Sequence, residues 1–475
     1  MRWILRRDWR RSLRELLFET DWLATNPVFY NEKTGKTSRN VNEVIDYSNL
    51  EFDEDGFNEY LDFGYSVFER TPVKHVMFLR HSSKLWREED GKLSVEYLDD
   101  PVETWKNPGY SETDIWDLVH RMVGKWEAEQ EGEIMLPLSG GFDSRILLMH
   151  LKDRDRIRAF TFGTSYPQRE TYEVVHAEYL AKKFNIKWEF VEIGDFHRDL
   201  TTWFDRYGIS VHAHGMYQVE FYRKVAGMMP PTSPPLASGI IGDAWSGGKA
   251  LYPIRTVKDI IQLGITHGMH ADPGQSLVKK SGAAREAYYT TFRERLAIQT
   301  FAEAERMRFK MTLISYLLRV PELFGFRTWS PYIDLELAMA MAHLPLERRA
   351  GRKWQVEYLA KQNLHLESMK LGGRVINTMS REGMRRVPLE PLDEEILRPY
   401  IKRDYIARIN RSLAERPALA WWLDYVYMVP KIGGLLRLMG APRSDPLNIP
   451  YAVYITLKPI EMLLRRAGQS NPRVG

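Results

Sequence analysis

The run Ile134-Met135-Leu136-Pro137-Leu138-Ser139-Gly140-Gly141-Phe142-Asp143-Ser144-Arg145-Ile146-Leu147-Leu148-Met149 decides how the rest of the 475-residue chain is read. A short apolar stretch enters Ser-Gly-Gly and a near-continuous apolar segment leaves it, a pattern that predicts strand, tight turn and buried helix. Gly140 and Gly141 have no Cβ, so backbone N–H groups can close on an anion, and the new helix adds the positive end of its dipole. Ser139 and Ser144 add hydroxyl donors. Asp143 suits an anion site only if it holds Mg²⁺, which takes carboxylate and phosphate oxygens together. A nucleoside triphosphate with Mg²⁺ satisfies all of these groups. At average residue usage Ser-Gly-Gly-x-Asp-Ser arises by chance in on the order of one chain in a thousand of this length, which makes a plain glycine turn before a core helix the weaker reading. No Gly-Lys-Ser/Thr follows, and the spacing is not Gly-x-Gly-x-x-Gly, so neither the Walker loop nor the dinucleotide fingerprint applies.

A chain this long exceeds one compact core, and two domains are the default expectation. With 44% hydrophobic and 27% charged residues it has an ordinary globular composition, and a net charge of +4 with pI near 8.8 does not call for nucleic acid. No run of 18 apolar residues is present to span a bilayer, and Met1-Arg2-Trp3-Ile4-Leu5-Arg6-Arg7 turns to charge before a signal-peptide core could form. Cytoplasm is the expected location. The absence of cysteine removes disulfides, thiolate nucleophiles and Cys-ligated metal centres.

Outward from the central turn, residues 1 to about 20 interleave Arg2, Arg6, Arg7, Arg10, Arg11 and Arg14 with Trp3, Trp9, Leu13 and Leu17. An amphipathic helix there would allow membrane-surface contact, although a solvated face is the duller reading. Short β-like pieces such as Lys74 to Leu79, with turn signals at Asn31 to Gly35 and Glu89 to Gly91, predict a small β-rich domain over 1–105. Pro101 to Pro108 reads as a linker, and Ser111 as an N-cap ahead of Ile115, Leu118, Val119 and Met122. After the central turn, a strand at Ile157 to Phe162, a helix at about Arg169 to Phe184 and a strand at Trp188 to Ile193 argue an α/β fold with a parallel sheet. A helix over Gly215 to Val225 and a Pro-rich loop lead to Leu236-Ala237-Ser238-Gly239-Ile240-Ile241-Gly242-Asp243, a second glycine turn at the carboxyl edge of the sheet, where such sheets bind ligands. From about 255 to 370 the periodicity is mostly helical. Residues 391–475 predict a helical extension, with Trp421, Trp422, Tyr425 and Tyr427, that packs as a lid.

Ser139 to Ser144 resembles the PP-loop of ATP pyrophosphatases. Further motifs follow in order: Phe160-Thr161-Phe162-Gly163 with a helix bearing Glu173 and Ala177, then Ser238-Gly239 with Gly242-Asp243 and Gly247-Gly248, Pro331-Tyr332-Ile333-Asp334, and Lys353. Together they resemble the synthetase domain of the asparagine synthetase family over about Ser111 to Gly383, within a domain of 106–390. The resemblance implies an adenine nucleotide alpha hydrolase-like fold and an AMP-forming amide ligase, in which a carboxylate attacks the α-phosphate of ATP and a nitrogen nucleophile then displaces AMP. It implies that Leu138, Ser139, Gly140, Gly141, Ser144, Phe162, Ser238 and Gly239 hold ATP, that Asp143 and Asp243 share Mg²⁺, and that Lys353 meets the pyrophosphate. Paired carboxylates on separate loops suit the charge that grows on a departing pyrophosphate. Asp334 reads as a helix N-cap.

The departures shape the expectation. The family's Glu is Ile240 here, its following acidic residue is Ala244, and the Arg two residues before its Pro is Trp329. An apolar Ile240 cannot act as a general base, so another group serves or the nucleophile arrives neutral. Residues 26–30 and the helix around Phe57 to Tyr65 resemble a shortened glutaminase domain, but without any cysteine glutamine is not hydrolysed here. Nitrogen is expected as ammonia, from a separate glutaminase, or as an amine, and the acceptor as a small-molecule or peptide carboxylate. A nucleotide-binding relative without chemistry is the alternative. RNA modification is set aside for want of a cysteine and of an RNA-binding module. His212 and His214 lack a third ligand at metal spacing, and Arg385-Arg386 reads as a solvated basic turn.

Overall fold

The computed structural model describes residues 14–105, 109–229, 233–247, 254–264, 268–375, 377–414 and 448–470. The basic residues 2–11, the linker residues 106–108, Gly248 and the aromatic stretch 421–427 lie outside them.

The chain begins with strands β1 (Glu15–Glu19), β2 (Phe29–Asn31), β3 (Thr37–Ser38), β4 (Val76–Phe78), β5 (Ser83–Arg87) and β6 (Leu93–Tyr97). They form two three-stranded antiparallel sheets, β1-β5-β6 and β3-β2-β4. Both predicted turns are made: Asn31 Oδ1 accepts from the Lys33 and Thr34 amides at 3.0 Å each, and Gly91 N–H donates to Glu88 O at 2.9 Å. Between the strands, Asp53 caps the Glu54–Phe63 helix and Gly64, at φ 80, closes it.

This helix is buried on most of its surface, because the rest of the chain packs around it. Tyr60 Oη donates to Thr456 O at 3.0 Å, and the Asp55 carboxylate accepts from the amides of Ser281, Gly282 and Ala284. Arg308 sends two bonds of 2.7 Å to buried Asp100 and one of 2.8 Å to Glu305. One contiguous apolar core runs from Leu23 and Phe57 through Leu136 to Leu463.

The second half is organised on a five-stranded parallel sheet built from β7 (Ile134–Pro137), β8 (Ile157–Thr161), β9 (Lys187–Phe190), β10 (Pro235–Ala237) and β11 (Arg327–Trp329), in the order β11-β10-β7-β8-β9. The predicted α/β architecture is therefore present. The Glu112–Ala128 helix opens with a reciprocal capping box, Ser111 Oγ accepting from Asp114 N–H and Asp114 Oδ2 accepting from Ser111 N–H. The Phe142–His150 and Tyr172–Phe184 helices are the crossovers from β7 to β8 and from β8 to β9. Asp334 caps Leu335–Ala342 through Leu337 N–H at 3.1 Å.

One boundary needs correction. The strand expected at Trp188 to Ile193 pairs over Lys187–Phe190 and adds one bond, Val191 N–H to Thr161 O at 2.8 Å, before the chain leaves the sheet. The stretch after 255 is mostly helical, and within it β11 forms the sheet edge, where Arg327 and Trp329 pair with Pro235 and Ala237. Three residues are too few for periodicity to register. The C-terminal helix Asn448–Ser470 packs into the core. Tyr451, Ile455, Leu457, Ile460 and Leu463 are buried, each worth about 1.5–3 kcal/mol. No described helix is long and apolar enough to cross a membrane.

Candidate functional site

From β7 the chain runs outward through β8 and β9, then returns to lay β10 on the other side of β7. The point where strand order reverses lies between β7 and β10, and crevices form outside the carboxyl ends of strands there. The two glycine turns, Ser139 to Asp143 after β7 and Ser238 to Asp243 after β10, flank that point. Between them a cavity of about 330 Å³ opens, lined by Leu138, Ser139, Gly141, Asp143, Ser144, Phe162, Ser238, Gly239 and Ile240 among others. Residues from three separate stretches of sequence are thus brought to one wall.

The first turn is shaped by its neighbours. Leu138 N–H donates to Phe160 O at 3.0 Å and Thr161 Oγ1 donates to Leu138 O, which carries the sheet one residue beyond β7. Gly140 takes φ 68, and a Cβ there would stand 2.4 Å from His176 Cβ. Gly141 is the N-cap of the Phe142–His150 helix and supplies no side-chain cap, which leaves first-turn N–H groups for an anion. Ser139 Oγ and Ser144 Oγ lie 3.4 Å apart across the turn. Buried Arg145 fastens it from behind: it donates to Gly140 O, to Leu364 O at 2.7 Å and to Glu367 Oε1 at 2.8 Å. Gly140→Ala should therefore cost about 1–3 kcal/mol, from overpacking and left-handed backbone together. Urea unfolding checks this, and a variant as stable as the wild type contradicts the close approach.

The second turn packs directly on the first. A Cβ on Gly239 would lie 2.9 Å from Ser144 N, and one on Gly242 would lie 2.6 Å from Asp143 Cγ. Ile241 between them is held at φ 59, a left-handed conformation that β-branched residues avoid and that persists where surrounding structure imposes it. Asp143 Oδ1 is buried and has no hydrogen-bond partner. Burial pushes the Asp143 carboxyl up to about 7, with the Arg352 guanidinium opposing the rise and the Asp243 carboxylate adding to it. An uncommitted carboxylate oxygen facing a second acidic residue is a donor set that fits Mg²⁺, so Asp143 and Asp243 are the residues that would hold it.

A sign follows for pH. Below about 4 the folded and unfolded chains both carry the Asp143 proton; between about 4 and 7 only the folded chain does, so this carboxyl makes stability fall as pH rises through that window. Asp143→Asn should flatten the slope in urea unfolding measured across pH 4 to 7. An unchanged slope contradicts the raised value.

Other expected residues are placed differently. Asp243 does not line the cavity: its side chain is 51% exposed and is joined to Asp143 through Arg352, whose guanidinium lies 3.8 Å from Asp243 Oδ2 and 3.9 Å from Asp143 Oδ1. Lys353 begins the Lys353–Lys361 helix with Nζ 3.9 Å from Glu357, on an exposed side chain. His212 accepts from His214 N–H at 3.2 Å, and among the described residues the only three-ligand cluster is His81, Asp100 and Glu305, where Arg308 already pairs with both carboxylates. Arg385 pairs with Glu382 and Arg386 with Glu192.

Sequence reading missed several groups. Glu173, named only as a landmark, lines the cavity with Thr164, Gln218 and Tyr222; Thr164 Oγ1 donates to Glu173 Oε1 at 3.0 Å while Oε2 is buried without a partner. Arg145 and Arg352 carried no motif. Their one signal was a charge inside an apolar helix run and an arginine directly after Gly351.

No protein-family model matches this chain, and no curated protein does. Among solved structures, the chain is similar to an NH3-dependent NAD synthetase from Campylobacter jejuni, at 12% identity over 52% of this chain and 97% of that one, with a TM-score of 0.24. It is also similar to a glutamine-dependent NAD+ synthetase from Acinetobacter baumannii solved with ADP, at 15% identity over 66% of this chain and 54% of that one, with a TM-score of 0.23.

Proposed function

We propose that this protein is an ATP-dependent, AMP-forming amide ligase of the asparagine synthetase type, acting on a small-molecule or peptide carboxylate. The observation that carries the reading is the approach of Asp143 and Asp243, one from each glycine turn, to the same Arg352 guanidinium, with Asp143 lining a cavity at the reversal point of a parallel sheet. ATP would lie with its phosphates on the Ser139 to Ser144 turn and its adenosine against Leu138, Phe162, Ser238 and Gly239. Mg²⁺ held by the two aspartates would neutralise charge on the α-, β- and γ-phosphate oxygens.

The chain's own groups account for the rest. First-turn N–H groups and the Ser139 and Ser144 hydroxyls orient the triphosphate, so that the substrate carboxylate oxygen attacks the α-phosphorus and the bond to the β-phosphate oxygen breaks. Lys353 is the proposed pyrophosphate contact. A nitrogen lone pair then attacks the acyl carbon, the acyl–oxygen bond breaks, AMP leaves with the electron pair, and the nitrogen loses a proton. Ile240 lines the cavity and offers no base, so the nitrogen arrives neutral, as ammonia from solution or a separate glutaminase, or as an unprotonated amine. Glu173 is the other carboxylate on the cavity wall.

Carboxylate-dependent exchange of labelled pyrophosphate into ATP, run over a panel of amino, sugar and peptide acids with AMP quantified, tests the reading. Release of ADP and phosphate would falsify it. Tight ATP binding with neither exchange nor AMP formation would select the second reading, a nucleotide-binding relative without chemistry, which the apolar Ile240 favours.

A further inference from the structure

The turn that precedes the Lys353–Lys361 helix places one arginine differently from its neighbours. Arg348 is paired with Glu112 at 2.6 Å and with Glu357, and Arg349 donates to Ala342 O at 2.8 Å and to Glu303. Arg352 instead reaches the two aspartates at 3.9 and 3.8 Å, beyond hydrogen-bond range, with its guanidinium 5.5 Å from the centre of the Phe142 ring. One charge spans two carboxylates and hydrogen-bonds neither.

That placement is imposed by the fold. Gly351 at φ 59 and Arg352 at φ 56 are successive left-handed residues, a conformation an arginine adopts only when packing demands it. The packing is visible on both sides. Trp354 Nε1 donates to Ser246 O at 3.1 Å, and Gly247 approaches so closely that a Cβ there would lie 2.3 Å from Arg349 O. The turn bearing Arg352 is thereby clamped onto the turn bearing Asp243.

We propose that Arg352 is the resident countercharge of the aspartate pair, holding Asp143 and Asp243 together in the metal-free protein and surrendering them when a divalent cation arrives with the nucleotide. The proposal rests on the reading of these aspartates as a magnesium pair. Two carboxylates converging without a cation repel one another, and a guanidinium at long range lessens the repulsion without the short bonds that would make displacement slow. A small divalent ion approaches carboxylate oxygens far more closely than a guanidinium at 3.8 Å and outcompetes it. The displaced fork is planar and presents paired donors, which suits the oxygens of the leaving pyrophosphate. Arg352 is in this sense a positioning residue.

The test is Mn²⁺ titration of the full chain at pH 8, followed by the electron paramagnetic resonance of free Mn²⁺, with and without an ATP analogue whose α,β bridge cannot be cleaved. Without nucleotide, Arg352→Gln should bind Mn²⁺ about ten-fold more tightly than the wild type, and adding Asp143→Asn to it should abolish the gain. Unchanged affinity in Arg352→Gln overturns the proposal, as does a gain that survives loss of Asp143. If Arg352→Gln does not fold, Arg352→Lys carries the comparison. A point charge spans the pair less well than a fork, so affinity should rise about three-fold, and no rise overturns the proposal. A wild type that forms no AMP would instead remove the ligase reading and leave this exchange of partners standing.

Discussion

Asp143→Asn should lower carboxylate-dependent pyrophosphate exchange by about 10³-fold, the scale seen when one preorganised charge-stabilising group is removed from a transition state. The amide keeps the shape of the side chain, which matters because Gly242 packs so closely on it that a Cβ there would lie 2.6 Å from Asp143 Cγ. What is lost is a negative oxygen able to hold a cation. The buried, unpartnered Oδ1 has no structural bond to lose, so the fold should stand. At neutral pH the variant should be as stable as the wild type or more so, because it relieves a carboxyl that burial disfavours. A loss of exchange below ten-fold, or a large loss of stability, would show that Asp143 serves packing and not chemistry.

The largest structural effect is expected from Arg308→Met. Arg308 is buried and bridges buried Asp100, which caps the turn after β6, and buried Glu305; its Nε also donates to Trp22 O at 2.8 Å. Burial opposes charge on both carboxyls. For Glu305 the His81 and Arg308 contacts outweigh it and hold the carboxyl far below the usual range, and Arg308 lowers that of Asp100. Removing the cation strands two carboxylates in the core at a cost of about 3–5 kcal/mol. Denaturant unfolding checks the magnitude, and faster proteolysis within residues 14–105 would locate it. Since both carboxyls are depressed, the stability they supply is present above their unfolded pKa values of about 4 and is lost as pH falls below them. The wild type should show that acid loss and the variant should not. A cost under about 1 kcal/mol would mean that the N-terminal strands are held by their apolar core alone.

Much of the site could be read from residue order because its parts are local. The strand, Ser-Gly-Gly turn and buried helix at Ile134 to Met149 obey rules that span four residues or fewer, as do the Ser111 capping box and the Asp334 cap. The second turn at Ser238 to Asp243 was legible for the same reason. Boundaries drifted where tertiary pairing outlasted or cut short the local signal, as at β9, and β11 was missed because its edge position, not its pattern, makes it a strand.

Sequence by itself determined the parallel α/β class, the two glycine turns and the two aspartates, since each is written in short-range periodicity, backbone permissiveness and charge. Only the tertiary structure decided that β10 lies beside β7, which brings together aspartates a hundred positions apart, and that Arg352 turns inward between them. Those outcomes depend on which surfaces bury one another at long chain separation: Gly242 against Asp143, Gly247 against Arg349, and the C-terminal helix against the N-terminal one. No local pattern encodes such contacts, because their free energy comes from burial shared by segments that do not meet until the chain has folded.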